Sequence, residues 1–293
     1  MHDPIAAPSP LSAWLAEGWE QHATVREVDV EGATVRYRAW GCDDRDKPGL
    51  VLAHGFLAHA RWWDHIAPRL TDRYRVIAPD FTGMGDSDRR PAYSRHQYAR
   101  ELIAATRHAG FEQAIFVAHS FGSSSALYAA TLAPDLIERV IVIDVRAFPR
   151  EEARESVIRP EAPYPSFEAA RARFRLSPPG PWPIPEILDY IAGHSIRRID
   201  DARWGWKFDP ETIRAVQRER LGSDLDTLVV PVDFIHAANS EVVNDTDLAI
   251  FLAKVPTCGP PVTIPLSHHH IMIEQPIALV AALNALLAHP RRA

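Results

Sequence analysis

The chain has 293 residues, 46% of them apolar and 24% charged, which excludes intrinsic disorder and allows one large buried core. Thirty-two basic against 38 acidic side chains leave a net charge of −6, so nothing in the bulk charge attracts a phosphate backbone and a nucleic-acid binder is not expected. Two cysteines, Cys42 and Cys258, make neither a disulfide framework nor a zinc pattern. No apolar run is long enough for a membrane span and no signal peptide is visible, so the expected location is cytoplasmic.

Taken in chain order, residues 23–30 and 33–40 predict a hairpin turned at Glu31-Gly32. Gly49–Ala53 reads as a buried strand, Trp62–Leu70 as a short helix and Tyr74–Ala78 as a second buried strand. A helix over Ser94–Ala109, a strand over Ala114–Ala118, a helix over Phe121–Ala133 ended by Pro134, and a strand over Val140–Ile143 follow. From about Arg146 to Asp226 this rhythm stops. Pro160, Pro163, Pro165, Pro178, Pro179, Pro181, Pro183 and Pro185 crowd together with Trp182, Trp204 and Trp206. Proline at that density interrupts long helices and strands, and large rings bury against something, so the segment reads as a helical cap inserted into the core rather than a linker. The rhythm resumes with a strand at Leu228–Ile235, a helix at Asp247–Lys254, a strand at Pro261–Ile264 and a last helix at Ile277–Leu287. Strands alternating with helices predict an α/β fold with a mostly parallel eight-stranded sheet, in which residues 1–145 and 227–293 form the core and 146–226 the cap.

Four motifs carry chemistry. Ala118-His119-Ser120-Phe121-Gly122 takes a strand straight into a helix with a serine at the bend. Such a turn presents the hydroxyl above the sheet edge, and it needs small residues two positions before and after, where backbones nearly touch. The plain alternative is a helix N-cap serine. His54-Gly55-Phe56 ends the strand beginning at Gly49, and the backbone N–H groups of Phe56 and Phe121 are the expected oxyanion hole. His54 reads as structural, bonded to loop backbone. Asp80-Phe81-Thr82-Gly83-Met84-Gly85-Asp86-Ser87 is a tight loop that fits no phosphate-binding pattern and reads as support for the rim. Ser267-His268-His269-His270 suggests metal at first sight, but consecutive side chains on a strand cannot all face one ion and no acidic ligand spacing accompanies them; a general base is expected and no metal.

Together these motifs resemble the α/β-hydrolase family over nearly the whole chain, the cap excepted. The resemblance implies a serine esterase with a Ser-His-acid catalytic triad and no cofactor. In the family the histidine commonly stands seven residues before the proline of a late Glu-Gln-Pro, which is Pro276 here and points to His269. The acid departs from the usual pattern, because the family's common position holds Ser240. Asp144, 24 residues beyond Ser120 at the preceding strand end, matches the alternative placement of some esterases and lactone hydrolases and is favoured, with Glu241 as the alternative acid and Asp245 and Asp247 further on. Haloalkane dehalogenases and epoxide hydrolases of this fold carry Asp at the bend, so Ser120 disfavours both. The resemblance thus implies a carboxylesterase or lactonase acting on a small-molecule ester or lactone, with a carbon–carbon bond hydrolase or a non-catalytic ligand-binding member as alternatives. Trp62, Trp182 and Trp206 are the expected substrate contacts, with Trp63, Trp204, Phe174 and Tyr190 as further candidates. Arg171, Arg173 and Arg175 read as a solvated face, and a homodimer is left open.

Overall fold

The computed structural model describes residues 9–146, 148, 163–216, 225 and 227–288. The expected hairpin is present: β1 (Thr24–Val30) pairs antiparallel with β2 (Ala33–Trp40). Its two-residue turn holds both Glu31 and Gly32 at positive φ, the backbone twist that matches a right-handed strand pair. Then come β3 (Gly49–Ala53), β4 (Arg75–Pro79), α2 (Arg95–His108), β5 (Ala114–His119), α3 (Phe121–Leu132) and β6 (Ile137–Ile143). After the intervening segment follow β9 (Val232–Ala237), α7 (Asp245–Lys254), β10 (Val262–Ile264), α8 (Ile271–Glu274) and α9 (Pro276–Ala288). The eight-stranded sheet runs β1-β2-β4-β3-β5-β6-β9-β10, antiparallel only at the β1–β2 and β2–β4 pairings.

Its central strands are buried on both faces, as a parallel sheet covered by helices requires. Along β5, Phe116 and Ala118 join the layer with Tyr98 and Leu102 of α2, whereas Ile115 and Val117 join the layer with Leu279 and Leu283 of α9. The period-two alternation is what sends neighbouring side chains to opposite cores.

Four local readings need correction. The segment between β3 and β4 is two 3-10 turns, Ala60–Trp63 and Ala67–Leu70, not one helix over 62–70. Pro68 has no N–H and its ring would clash with the carbonyl of Asp64, so an α-helix cannot run through. β6 begins at Ile137, earlier than Val140, because Arg139 is buried there and ion-paired to Asp233 of β9 at 3.2 Å. β9 runs over Val232–Ala237 rather than from Leu228, since Pro231 cannot donate to a ladder. An N-terminal helix, α1 (Pro10–Glu20), precedes the hairpin; Ser9 caps it by accepting the Ser12 N–H, and Leu15 is its buried anchor.

Between β6 and β9 stand short elements: α4 (Phe167–Arg171), α5 (Pro185–His194), the antiparallel pair β7 (Ile196–Arg198) and β8 (Trp204–Trp206), and α6 (Pro210–Val216). Of the expected insertion 146–226, residues 147, 149–162, 217–224 and 226, among them Pro160 and Asp226, lie outside the described residues. The described part sits against the loops at the carboxyl ends of the parallel strands. Asp209 N–H donates to Gly83 O at 2.7 Å, Ile184 N–H to Ile273 O at 3.1 Å, and His59 Nε2 lies 3.0 Å from Ser195 Oγ.

Candidate active site

The site starts from one bend. β5 ends at His119, α3 begins at Phe121, and the residue between them, Ser120, has φ 51° and ψ −119°. A non-glycine residue there costs on the order of 1–3 kcal/mol and persists only where its surroundings fix it. Ser120 N–H donates to Ile143 O at 2.9 Å, and Ser120 O accepts from Ser123 N–H at 3.0 Å. The bend packs α3 tightly on β3, since a Cβ at Gly122 would stand 2.4 Å from His54 O. Ala118 pairs with Ala53 of β3, so two small buried residues face each other where the chains approach.

Asp144 follows β6 directly, also at positive φ (46°), and is fully buried. Its N–H donates to Ile235 O at 2.9 Å. Its Oδ2 accepts from His269 Nδ1 at 2.7 Å and from Ser240 Oγ at 2.6 Å, and its Oδ1 accepts from Ala237 N–H at 3.2 Å. The other ring nitrogen, His269 Nε2, stands 2.9 Å from Ser120 Oγ. A carboxylate bonded to Nδ1 fixes the proton there and leaves the Nε2 lone pair facing the hydroxyl. Glu241 is solvent-exposed, and its neighbour Ser240 is what reaches the carboxylate. Ser240 Oγ also accepts from the N–H groups of Val242 (3.1 Å) and Val243 (2.9 Å), so its own proton is directed to Asp144. Ser240 stands where the family's common acid would be, in the stretch Ala238-Asn239-Ser240 that resembles the loop of esterases with the alternative acid placement. Its hydroxyl is the signal that the acid lies on the neighbouring strand.

Phe56 and Phe121 come together, with ring centroids 5.4 Å apart. Phe121 is the first residue of α3, so its N–H has no partner within the helix and points out of its amino end. His54 fixes the opposite loop: its Nδ1–H donates to Gly55 O at 2.8 Å and its Nε2 accepts from Phe81 N–H at 3.2 Å. Burial lowers the His54 pKa to about 4, keeping this pattern neutral. Asp80 ties the rim, accepting from Ala60 N–H at 2.6 Å and Asp86 N–H at 2.9 Å, while burial raises its pKa to about 6.

The three late histidines diverge. His268 turns to Glu274, whose Oε2 accepts its backbone N–H at 2.6 Å, and Trp182 meets its ring edge-on while remaining 60% exposed. His269 meets Ser120. His270 donates from Nε2 to Pro178 O at 3.1 Å and packs edge-on against the buried Trp62, with centroids 5.5 Å apart. Burial, with His269 beside it, lowers the His270 pKa to about 3. His119, between the bend and these residues, donates from Nε2 to His269 O at 2.8 Å and thereby holds that residue's backbone. Among the described residues, His119, His269 and His270 form the one cluster whose members each offer a ring nitrogen within 4.8 Å of the others. His269 and His270 lie between β10 and α8 on irregular backbone, so the alternation of a strand does not send them to opposite faces. Trp206 packs against Tyr164 and Phe174. Arg171 pairs with Asp189, and Arg175 donates to the carbonyls of Ala172 and Phe174.

Residues 50–283 match the model of the alpha/beta hydrolase family. The chain belongs to that family. Among α/β hydrolases, it is similar to an esterase of Mycobacterium tuberculosis, 25% identical over 94% of this chain and 95% of the relative. It is also similar to epoxide hydrolase A of the same organism, 34% identical over 52% of this chain, a match spanning only 44% of that protein's own length. A solved E-2-(acetamidomethylene)succinate hydrolase superposes with a TM-score of 0.75 at 21% identity, covering 92% of this chain and all of the other; this is a likeness of fold. The protein is a hydrolase of the α/β fold, and no helix among its described residues is long and apolar enough to cross a membrane.

Proposed function

We propose that this α/β hydrolase cleaves a carboxylic ester or lactone through an acyl-enzyme on Ser120. The observation that carries the reading is the unbroken relay from Ser120 Oγ to His269 Nε2 (2.9 Å) and from His269 Nδ1 to Asp144 Oδ2 (2.7 Å), with the serine at a strained bend. His269 Nε2 takes the Ser120 proton as Oγ bonds to the substrate carbonyl carbon. The negative charge that builds on the carbonyl oxygen faces the Phe56 and Phe121 N–H groups. The imidazolium, held by Asp144, passes its proton to the leaving alcohol oxygen as the C–O bond breaks. Water then gives a proton to His269 and attacks the acyl carbon, and the tetrahedral intermediate releases the acid and restores Ser120. Each step uses the same two hydrogen bonds.

Residues 146–226 serve as the cap, and its seams with the core set which acyl group is accepted. Trp62, buried beside His270, is the best-placed of the three tryptophans; Trp206 stands in an aromatic cluster within the insertion and Trp182 on its outer surface. Opening an epoxide through an alkyl-ester intermediate requires a carboxylate nucleophile at the bend, so the hydroxyl of Ser120 supports the ester reading over the activity named for the shorter-matching relative. The test is a pre-steady-state assay with 4-nitrophenyl esters of increasing acyl length and a panel of lactones. A burst of nitrophenolate matching the enzyme concentration, absent in Ser120→Ala, is expected. Turnover of an epoxide or a vinylogous diketone, with no ester or lactone cleaved, would overturn the reading.

A further inference from the structure

The family match begins at residue 50, and α1 lies ahead of it, packed on two sites at once. The first is His65, between the two 3-10 turns. Gly18 lies against its backbone, where an added Cβ would stand 3.4 Å from His65 O. Trp14 meets the His65 ring edge-on with centroids 6.4 Å apart, and Arg69 ties the helix down by donating to Glu17 Oε2 at 2.7 Å and to Trp14 O. The buried His65 ring then donates from Nε2 to Met272 O of α8 at 2.7 Å. That same turn bonds back to His270, whose carbonyl accepts from Ile273 N–H at 2.8 Å and Glu274 N–H at 3.2 Å. The second site is the insertion. Trp19 stacks on Tyr190 of α5, with centroids 4.9 Å apart and planes 16° from parallel. The Tyr190 hydroxyl donates to the buried Asp64 at 2.5 Å, and Arg38 and Arg61 reach the same carboxylate at 2.6 and 3.5 Å.

We propose that α1 is a clasp in which Trp19 is a positioning residue for the cap and His65 a positioning residue for the base, His269. Neither touches the reacting atoms. A helix of ten residues does not hold its shape alone, so α5 takes its place from what it packs on: Ile187 and Ile191 inward, Tyr190 against Trp19. Tyr190 suits the joint, since its ring offers an apolar face to Trp19 and its hydroxyl reaches Asp64. Trp19 therefore acts on the seam that sets which acyl group fits. His65 acts through Met272 O on the turn bonded to His270, and so on the backbone that carries His269. These two roles in turnover rest on the esterase reading; the packing of α1 on both sites does not.

The test joins hydrogen–deuterium exchange of the full-length protein to steady-state kinetics on the 4-nitrophenyl ester it cleaves fastest. Trp19→Ala is expected to speed exchange in α5 by at least about tenfold while β5 and α3 exchange as in wild type. It should raise KM by about threefold or more with kcat within about twofold, and Trp19→Phe, which keeps a stacked ring, should restore both. His65→Leu loses the donor to Met272 O and is expected to speed exchange over residues 266–274 and lower kcat by about tenfold or more with KM kept. His65→Gln keeps a side-chain N–H for that carbonyl and should recover most of the loss. Should His65→Leu fail to fold, Trp14→Ala is read in its place, with the same direction and a smaller size. Unchanged exchange in α5 of Trp19→Ala, or a fall in its kcat with KM kept, overturns the clasp on the cap. A kcat loss in His65→Leu that His65→Gln does not relieve, or no loss at all, overturns the positioning of the base. If wild type cleaves no ester or lactone, the esterase reading falls, and exchange in α5 and over residues 266–274 still decides whether α1 holds both sites.

Discussion

At the carboxyl ends of β5, β6 and β10, the site rests on short contacts from strands that cannot move independently: Ser120 N–H on Ile143 O, Asp144 N–H on Ile235 O, and the Asp144 carboxylate on three donors. Residues 163–216 are assembled differently. Their helices have 5, 10 and 7 residues, their strands three each, and they meet the core through a few buried apolar side chains, Leu176, Ile187 and Ile191, and through polar contacts such as Tyr93 to Asp209 (2.7 Å) and Tyr190 to Asp64 (2.5 Å). The first region is over-determined, so one lost contact there disturbs geometry that the chemistry needs. The second is held by separable contacts, so changes should alter fit before they alter the bond-breaking step.

The hardest test of that contrast is Ser120→Ala, expected to lower kcat by about 10⁴- to 10⁶-fold in the ester assay while melting temperature stays close to wild type. Asp144→Asn should cost about 10⁴-fold in kcat and Glu241→Gln almost nothing. Equal, mild losses in both would break the acid assignment. Acidification probes the whole rigid region. Burial holds His54 and His65 at about 4 and His119 well below its ordinary value, against 6.5 when unfolded. The unfolded chain therefore binds more protons between those values. Stability is full above about pH 6.5 and should fall through the window toward pH 4, by up to ~1.4 kcal/mol per pH unit for each histidine. Asp80, raised to about 6 against 3.8, acts with the opposite sign, its destabilising ionisation being lost as pH falls. Denaturant melts from pH 7 to 4.5 would check this, and a flat profile would contradict the buried neutral histidines. Ser240→Ala removes one charge-assisted hydrogen bond to Asp144, an effect of about 1.5–3 kcal/mol, seen as roughly a tenfold or greater loss in kcat. Smallest is Tyr93→Phe in the seam with residues 163–216, where about 1 kcal/mol of stability and a change in KM with kcat maintained are expected.

The bend at Ser120 was legible because its chemistry is local: one strand, one helix and two small residues within five positions. His269 was legible only by counting back from Pro276, since three adjacent imidazoles offered no local reason to choose. The acid stayed divided between Asp144 and Glu241 because two neighbouring strand ends converge on one imidazole, and sequence spacing carries no distance between β6 and β9. Arg139 hid the first part of β6 for a related reason: a charge reads as surface until its buried partner, Asp233, is known. The α1 helix had a visible signal, Ser9 before Pro10 and the apolar residues Leu11, Trp14 and Leu15.

What the chain order alone determined is the alternation of strands and helices, the parallel sheet that follows from it, and a serine raised on a tight turn, because propensity, periodicity and small-residue spacing act over a few residues. What only the folded molecule decided is which carboxylate the imidazole meets, that Ser240 completes its hydrogen bonding, and that His119, His269 and His270 gather around one point. These depend on the register of strands separated by about a hundred residues or more, and register is fixed by packing across the whole sheet.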